Sequence, residues 1–150
     1  MKKFILPLLA SVILGMTVSS CAKEEMLDSV NIYTAEYIAY WDKWTPLEDC
    51  LAQQVSWPDL TEDIIKYGTV SVYAFADPSA DFGVQYPLPD ILPLLHGTEI
   101  IPRVLRYEIQ PGYITFYMQD LNCVVPDITN DSPIKFRMVA SVPVRYILHK

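Results

Sequence analysis

The longest alternation of apolar and polar positions closes the chain. Ile134, Phe136, Met138, Ala140, Val142 and Val144 point one way, and Lys135, Arg137, Ser141 and Arg145 point the other. A period of two over this length predicts a strand with one face on a core and one in water. Pro143 predicts a bend or a sheet edge there, because proline has no N–H to give a ladder. The same period recurs in TVSVYAF, where Val70, Val72 and Ala74 oppose Thr69, Ser71 and Tyr73. It returns in Leu105, Tyr107 and Ile109, set against Arg106 and Glu108, and in Ile114, Phe116 and Met118. Between these last two runs, Gln110-Pro111-Gly112-Tyr113 carries Pro and Gly at the central positions a type II turn prefers.

The first strand is expected over Val30 to Ala39, and residues 40–46 form an aromatic-rich turn. A second strand over 51–57 stops at Pro58. LTEDIIKYG then predicts one short helix near 61–67. Thr61 caps it, Glu62 and Asp63 occupy its first turn, Lys66 lies near its end and Gly68 stops it. Residues 77–97, punctuated by Pro78, Pro87, Pro89 and Pro93, read as a long irregular connection. Many short strands with one short helix predict an all-β fold, an antiparallel β-sandwich. A closed barrel is the alternative that periodicity leaves open.

The N-terminal stretch changes where this domain is expected to sit. Lys2 and Lys3 precede an uncharged apolar run over residues 4–16, too short for the roughly 20 residues of a spanning helix and broken by Pro7. It reads as a secretory signal. Val18-Ser19-Ser20-Cys21 resembles a bacterial lipobox, which implies removal of residues 1–20 and acylation of Cys21, palmitate being one such chain. Two or more acyl chains suffice for stable anchoring. Ala22-Lys23-Glu24-Glu25 resembles the surface-export signals of Bacteroidota-type lipoproteins. The expected organisation is therefore signal (1–20), tether (21–29) and a single domain (30–150), held at the outer membrane on its surface or periplasmic face.

Without residues 1–20 the chain carries 9 basic and 18 acidic residues, a net charge of −9. That balance argues against nucleic-acid binding, which rests on neutralising phosphates. Cys50 and Cys123, 73 positions apart, are the cysteines left after lipidation. In an oxidising compartment they form either one disulfide, worth about 4 kcal/mol for so long a loop, or two free thiols. No CxxC or Cys/His array supports a metal site, and no cofactor is expected. His96 and His149 are the only histidines, and no G-x-S-x-G elbow accompanies them, so a catalytic residue is not expected. Asp127, Asn130 and Asp131 offer oxygens for Ca²⁺ but lack the EF-hand spacing; a capped surface turn is the alternative. Trp41 and Trp44 are the candidate ligand contacts, since aromatic faces stack on sugars or pack on proteins. Trp57, before Pro58, is expected in the core. Asp28-Ser29-Val30 resembles a short O-glycosylation signal of the same bacteria, which marks Ser29.

The order of motifs also resembles a family. In PDLTEDIIKYGTVSVYAF, Pro58, Thr61, Ile64, Gly68, Val70, Val72 and Tyr73 match a recurrent segment of small Bacteroidota lipoproteins and of collagen-like secreted proteins. Pro87-Leu88-Pro89 and Phe136-Arg137-Met138-Val139 fit the same pattern, although Gly-x-y repeats and a glycine after Pro143 are missing. The resemblance implies a β domain and an envelope location, and carries no reaction with it. The resulting expectation is a lipid-anchored structural or protein-interaction module. A carbohydrate-binding accessory lipoprotein is the alternative. Expected partners are the membrane, through the lipid, and an envelope protein or glycan.

Overall fold

The structure, a computed structural model, describes residues 29–75, 83–129 and 131–144. Cys21 lies outside them. Nine strands and one helix follow in order: β1 (Val30–Ala39), β2 (Thr45–Pro46), β3 (Leu51–Ser56), α1 (Glu62–Tyr67), β4 (Thr69–Phe75), β5 (Gln85–Pro87), β6 (Asp90–His96), β7 (Glu99–Gln110), β8 (Tyr113–Asp120) and β9 (Ile134–Pro143). They build two antiparallel sheets, β1-β9-β4-β5 and β2-β3-β8-β7-β6, which pack as an all-β sandwich.

Alternation explains the packing. Phe136, Met138, Ala140 and Val142 of β9 are buried with Val72 and Ala74 of β4, facing Leu105, Ile114, Phe116 and Met118 of the other sheet. Phe116 and Phe136 stack across the two sheets, their ring centroids 3.9 Å apart and both fully buried. The type II turn forms with Gly112 at φ +80°, where a Cβ would be strained. Thr61 caps α1 by accepting the Ile64 amide at 3.3 Å. Gly68 ends α1 for a steric reason: a Cβ there would lie 2.3 Å from the Ser141 carbonyl oxygen and 2.7 Å from that of Ile64.

Two expectations need correction. The connection expected over 77–97 is not irregular in its described part, residues 83–97, which contains β5 and β6. In β6 both faces are largely apolar: Leu92 and Leu94 are buried, while Ile91 and Leu95 are exposed on either side of Pro93. That hides the alternation, and the proline is tolerated because β6 is an edge. Pro143, by contrast, marks no edge. β9 lies between β1 and β4. Val144 donates to the Ser29 carbonyl at 2.8 Å, so alternation directs the Pro143 nitrogen to the β4 side, beyond the start of β4 at Thr69.

Candidate functional site

Arg103 shares the inner face of β7 with Leu105 and is 3% exposed, so a guanidinium sits where a core residue is expected. The β7–β8 register sets Arg103 opposite Asp120, which accepts from its Nη1. Nη2 donates to the Asp127 carbonyl at 2.7 Å and lies 3.6 Å from Oδ2 of Asp131. Asp131, itself buried, bridges to His96 at the tip of β6, with Oδ1 2.6 Å from His96 Nδ1. The Ser132 amide donates to the Leu95 carbonyl at 3.0 Å. These contacts fold the segment after β8 across one end of the sandwich.

An open cleft of about 350 Å³ lies there. Its polar lining is His96, Arg103, Asp120, Asn122 and Asp127, and Ile101, Pro102 and Leu121 supply apolar surface. Asp127 forms a capped turn, accepting from the amide and hydroxyl of Thr129, and these bonds hold its carboxyl below the usual range. Three carboxylates (Asp120, Asp127 and Asp131) therefore surround one guanidinium and a histidine. The balance disfavours an anion. It offers acceptors and donors side by side, a combination suited to hydroxyl-rich or cationic groups.

The predicted site residues fare differently. Trp41, in a 3-10 turn after β1, is 50% exposed and remains available for contact. Trp44 is corrected to a core residue: it is 8% exposed and joins the same hydrophobic cluster as Leu51, next to the β2–β3 pairing. Trp57 is buried as expected, at 2%. Cys50 and Cys123 are both free. Cys50 is buried, which pushes its thiol up, and Cys123 is exposed. The Ca²⁺ reading of Asp127 and Asp131 gives way to the capped turn and the His96 bridge, and Asn130 lies outside the described residues. Although three carboxylates and a histidine gather here, no group of three His, Cys, Asp or Glu side chains among the described residues is placed to hold a metal ion. Ser29 is exposed, with its carbonyl tied to Val144.

Arg103 and Asp120 were missed although a signal existed. Counting seven positions outward from each end of the Gln110–Tyr113 turn lands on these two residues, an oppositely charged pair on an otherwise apolar face. Comparison with protein-family models, curated proteins and solved structures returned no match.

Proposed function

We propose that this protein is a lipid-anchored, non-enzymatic module of the cell envelope, held at the outer membrane through Cys21 and presenting one end of its sandwich to a partner. The observation that carries the reading is the placement of that end. The chain enters at Ser29, beside Val144, whereas the cleft adjoins Asp131 and the Ile134 end of β9, which pairs with Ala39. The two ends are separated by the ten residues of β1, about 34 Å. The eight steps from Cys21 to Ser29 reach about 28 Å at full extension, so a lipid at Cys21 leaves the cleft open.

Fractionation of the full chain tests the anchor. Cys21→Ser should release the protein from membranes or leave its signal uncleaved. A variant that is cleaved at the same site and stays membrane-bound refutes it.

A second reading, a carbohydrate-binding accessory lipoprotein, draws on the cleft itself. Carboxylates, Asn122 and Arg103 beside Ile101, Pro102 and Leu121 match the mixed polar and apolar surface of a sugar, with Trp41 exposed at the same end of β1. A glycan array separates the two, since a protein-interaction module shows no sugar preference. Binding abolished by Asp120→Asn would favour the sugar.

A further inference from the structure

A sandwich of two open sheets has four edge strands, and among the described residues three of them are short or interrupted by proline. Among the described residues, β2 has two residues and ends in Pro46, and β5 has three and ends in Pro87. β6 carries Pro93 at its middle, and the Asp90 carboxylate takes the Ile91 amide at 2.7 Å. Short length, proline and side-chain capture are the usual means of keeping an edge from pairing. β1 has none of them. Its ten residues, VNIYTAEYIA, are rich in β-branched and aromatic side chains, contain no proline or lysine, and carry one charge. Val30 is 51% exposed, Ile32 68% and Ile38 39%.

Among the described residues no strand pairs with the outer side of β1, and the backbone groups on that side can be assigned. Val144 donates to the Ser29 carbonyl, so Ser29 and every second residue after it bond towards β9. The N–H and C=O groups of Val30, Ile32, Thr34, Glu36 and Ile38 therefore face away from the sheet. We infer that β1 is an interface between two copies of this chain, pairing antiparallel with its own counterpart to join two four-stranded sheets into one.

The sequence of β1 fits itself in one register. With Ala35 opposite Ala35 of the second copy, Ile32 meets Ile38, Tyr33 meets Tyr37 and Thr34 meets Glu36. Each outward-bonding residue then faces another outward-bonding residue. Aromatic and aliphatic cross-strand pairs of this kind stabilise sheets, and no two like charges are directly opposite. Sliding the partner by one step of two residues in one direction sets Glu36 against Glu36, and in the other sets Glu36 against Ile32. In the favoured register the two Glu36 carboxylates lie diagonally, about 8 Å apart. Each is already bound by Arg137 at 2.8 and 2.9 Å and by Lys135 at 3.0 Å. The charge that would guard the edge is thus neutralised within its own sheet.

A contact about 34 Å long and about 15 Å wide buries about 500 Å² on each chain, near the lower limit for specific association. The pair should therefore form and dissociate with concentration.

Native mass spectrometry of the full chain, released from detergent over a concentration series, tests the inference. The expected result is a monomer–dimer equilibrium. Thr34→Pro removes an outward N–H and should raise the dissociation constant at least about tenfold, with circular dichroism unchanged. Ile32→Lys at an exposed side chain gives the same readout should proline disturb the fold. In a Cys123→Ser background, which removes the exposed native thiol, oxidation of Ile32→Cys/Ile38→Cys should yield a dimer cross-linked between positions 32 and 38, a linkage that neither single variant can form. A monomer at every concentration, a dimer unaffected by both edge variants, or β1 occupied by a strand of another protein would overturn it.

Discussion

Arg103→Met is the most informative single substitution. Methionine keeps most of the aliphatic volume but removes a buried cation with three oxygen partners: Asp120, the Asp127 carbonyl and Asp131. Asp120, with a side chain 30% exposed, can turn to water. Asp131, 4% exposed, cannot, and its Oδ2 has no hydrogen bond of its own. Removing one partner of a buried pair costs about 3–5 kcal/mol, mostly through the charge left behind. At the low end, given Asp120's hydration, about 3 kcal/mol lowers the melting temperature by about 12 °C for a domain of this size. Arg103→Met/Asp131→Asn discharges the orphan while leaving an acceptor for His96 Nδ1, and should recover at least half the loss. Differential scanning calorimetry at neutral pH reads both. A single variant within 3 °C of the wild type, or a double variant no better than the single, would refute the reasoning.

Three further outcomes follow from local geometry. Arg137, then Lys135, hold the Glu36 carboxyl below its ordinary value, so its contribution is fully present above the unfolded value near pH 4.3 and is lost as pH falls through the folded one. Chemical denaturation of wild type and Glu36→Gln should show a stability gap that is constant above about pH 5 and shrinks below about pH 4; a gap that widens on acidification would contradict this. Of Cys50 and Cys123, alkylation of the native protein should label only Cys123, with Cys50 reacting only after unfolding without reductant; no labelling of either of these two thiols in denaturant would show a disulfide instead. Gly68→Ala should destabilise by about 1–3 kcal/mol in urea, because the methyl group meets two backbone carbonyls rather than a side chain that can move.

Sequence legibility followed the asymmetry of each element. β4, the second half of β7, β8 and β9 have one wetter face, and their alternation showed. The cap at Thr61 and the turn at Gly112 depend on local chemistry and were equally readable. β6 was hidden because Ile91 and Leu95 make its outer face as apolar as its inner one, and β5 because three residues carry no period. Trp44 and Trp41 lie three positions apart in one aromatic turn, and only the pairing of β2 with β3 decides which is buried. The cleft joins residues from β6, β7, β8 and the segment before β9, so its geometry depends on long-range strand pairing. Of its parts, only Arg103 opposite Asp120 could be counted from a local turn.

The pairing of Ser29 with Val144 fixes how the molecule carries load. Both described chain ends leave from the same end of one antiparallel ladder, whose hydrogen bonds run across the strands. Tension applied between those two ends opens the β1–β9 ladder rung by rung, like a zip. Tension between Ser29 and something gripped at the cleft instead runs along β1 and loads all the rungs together in shear. Single-molecule pulling should therefore find low resistance along the first axis and high resistance along the second. The fold is weak when drawn by its own ends and strong along the line from tether to cleft.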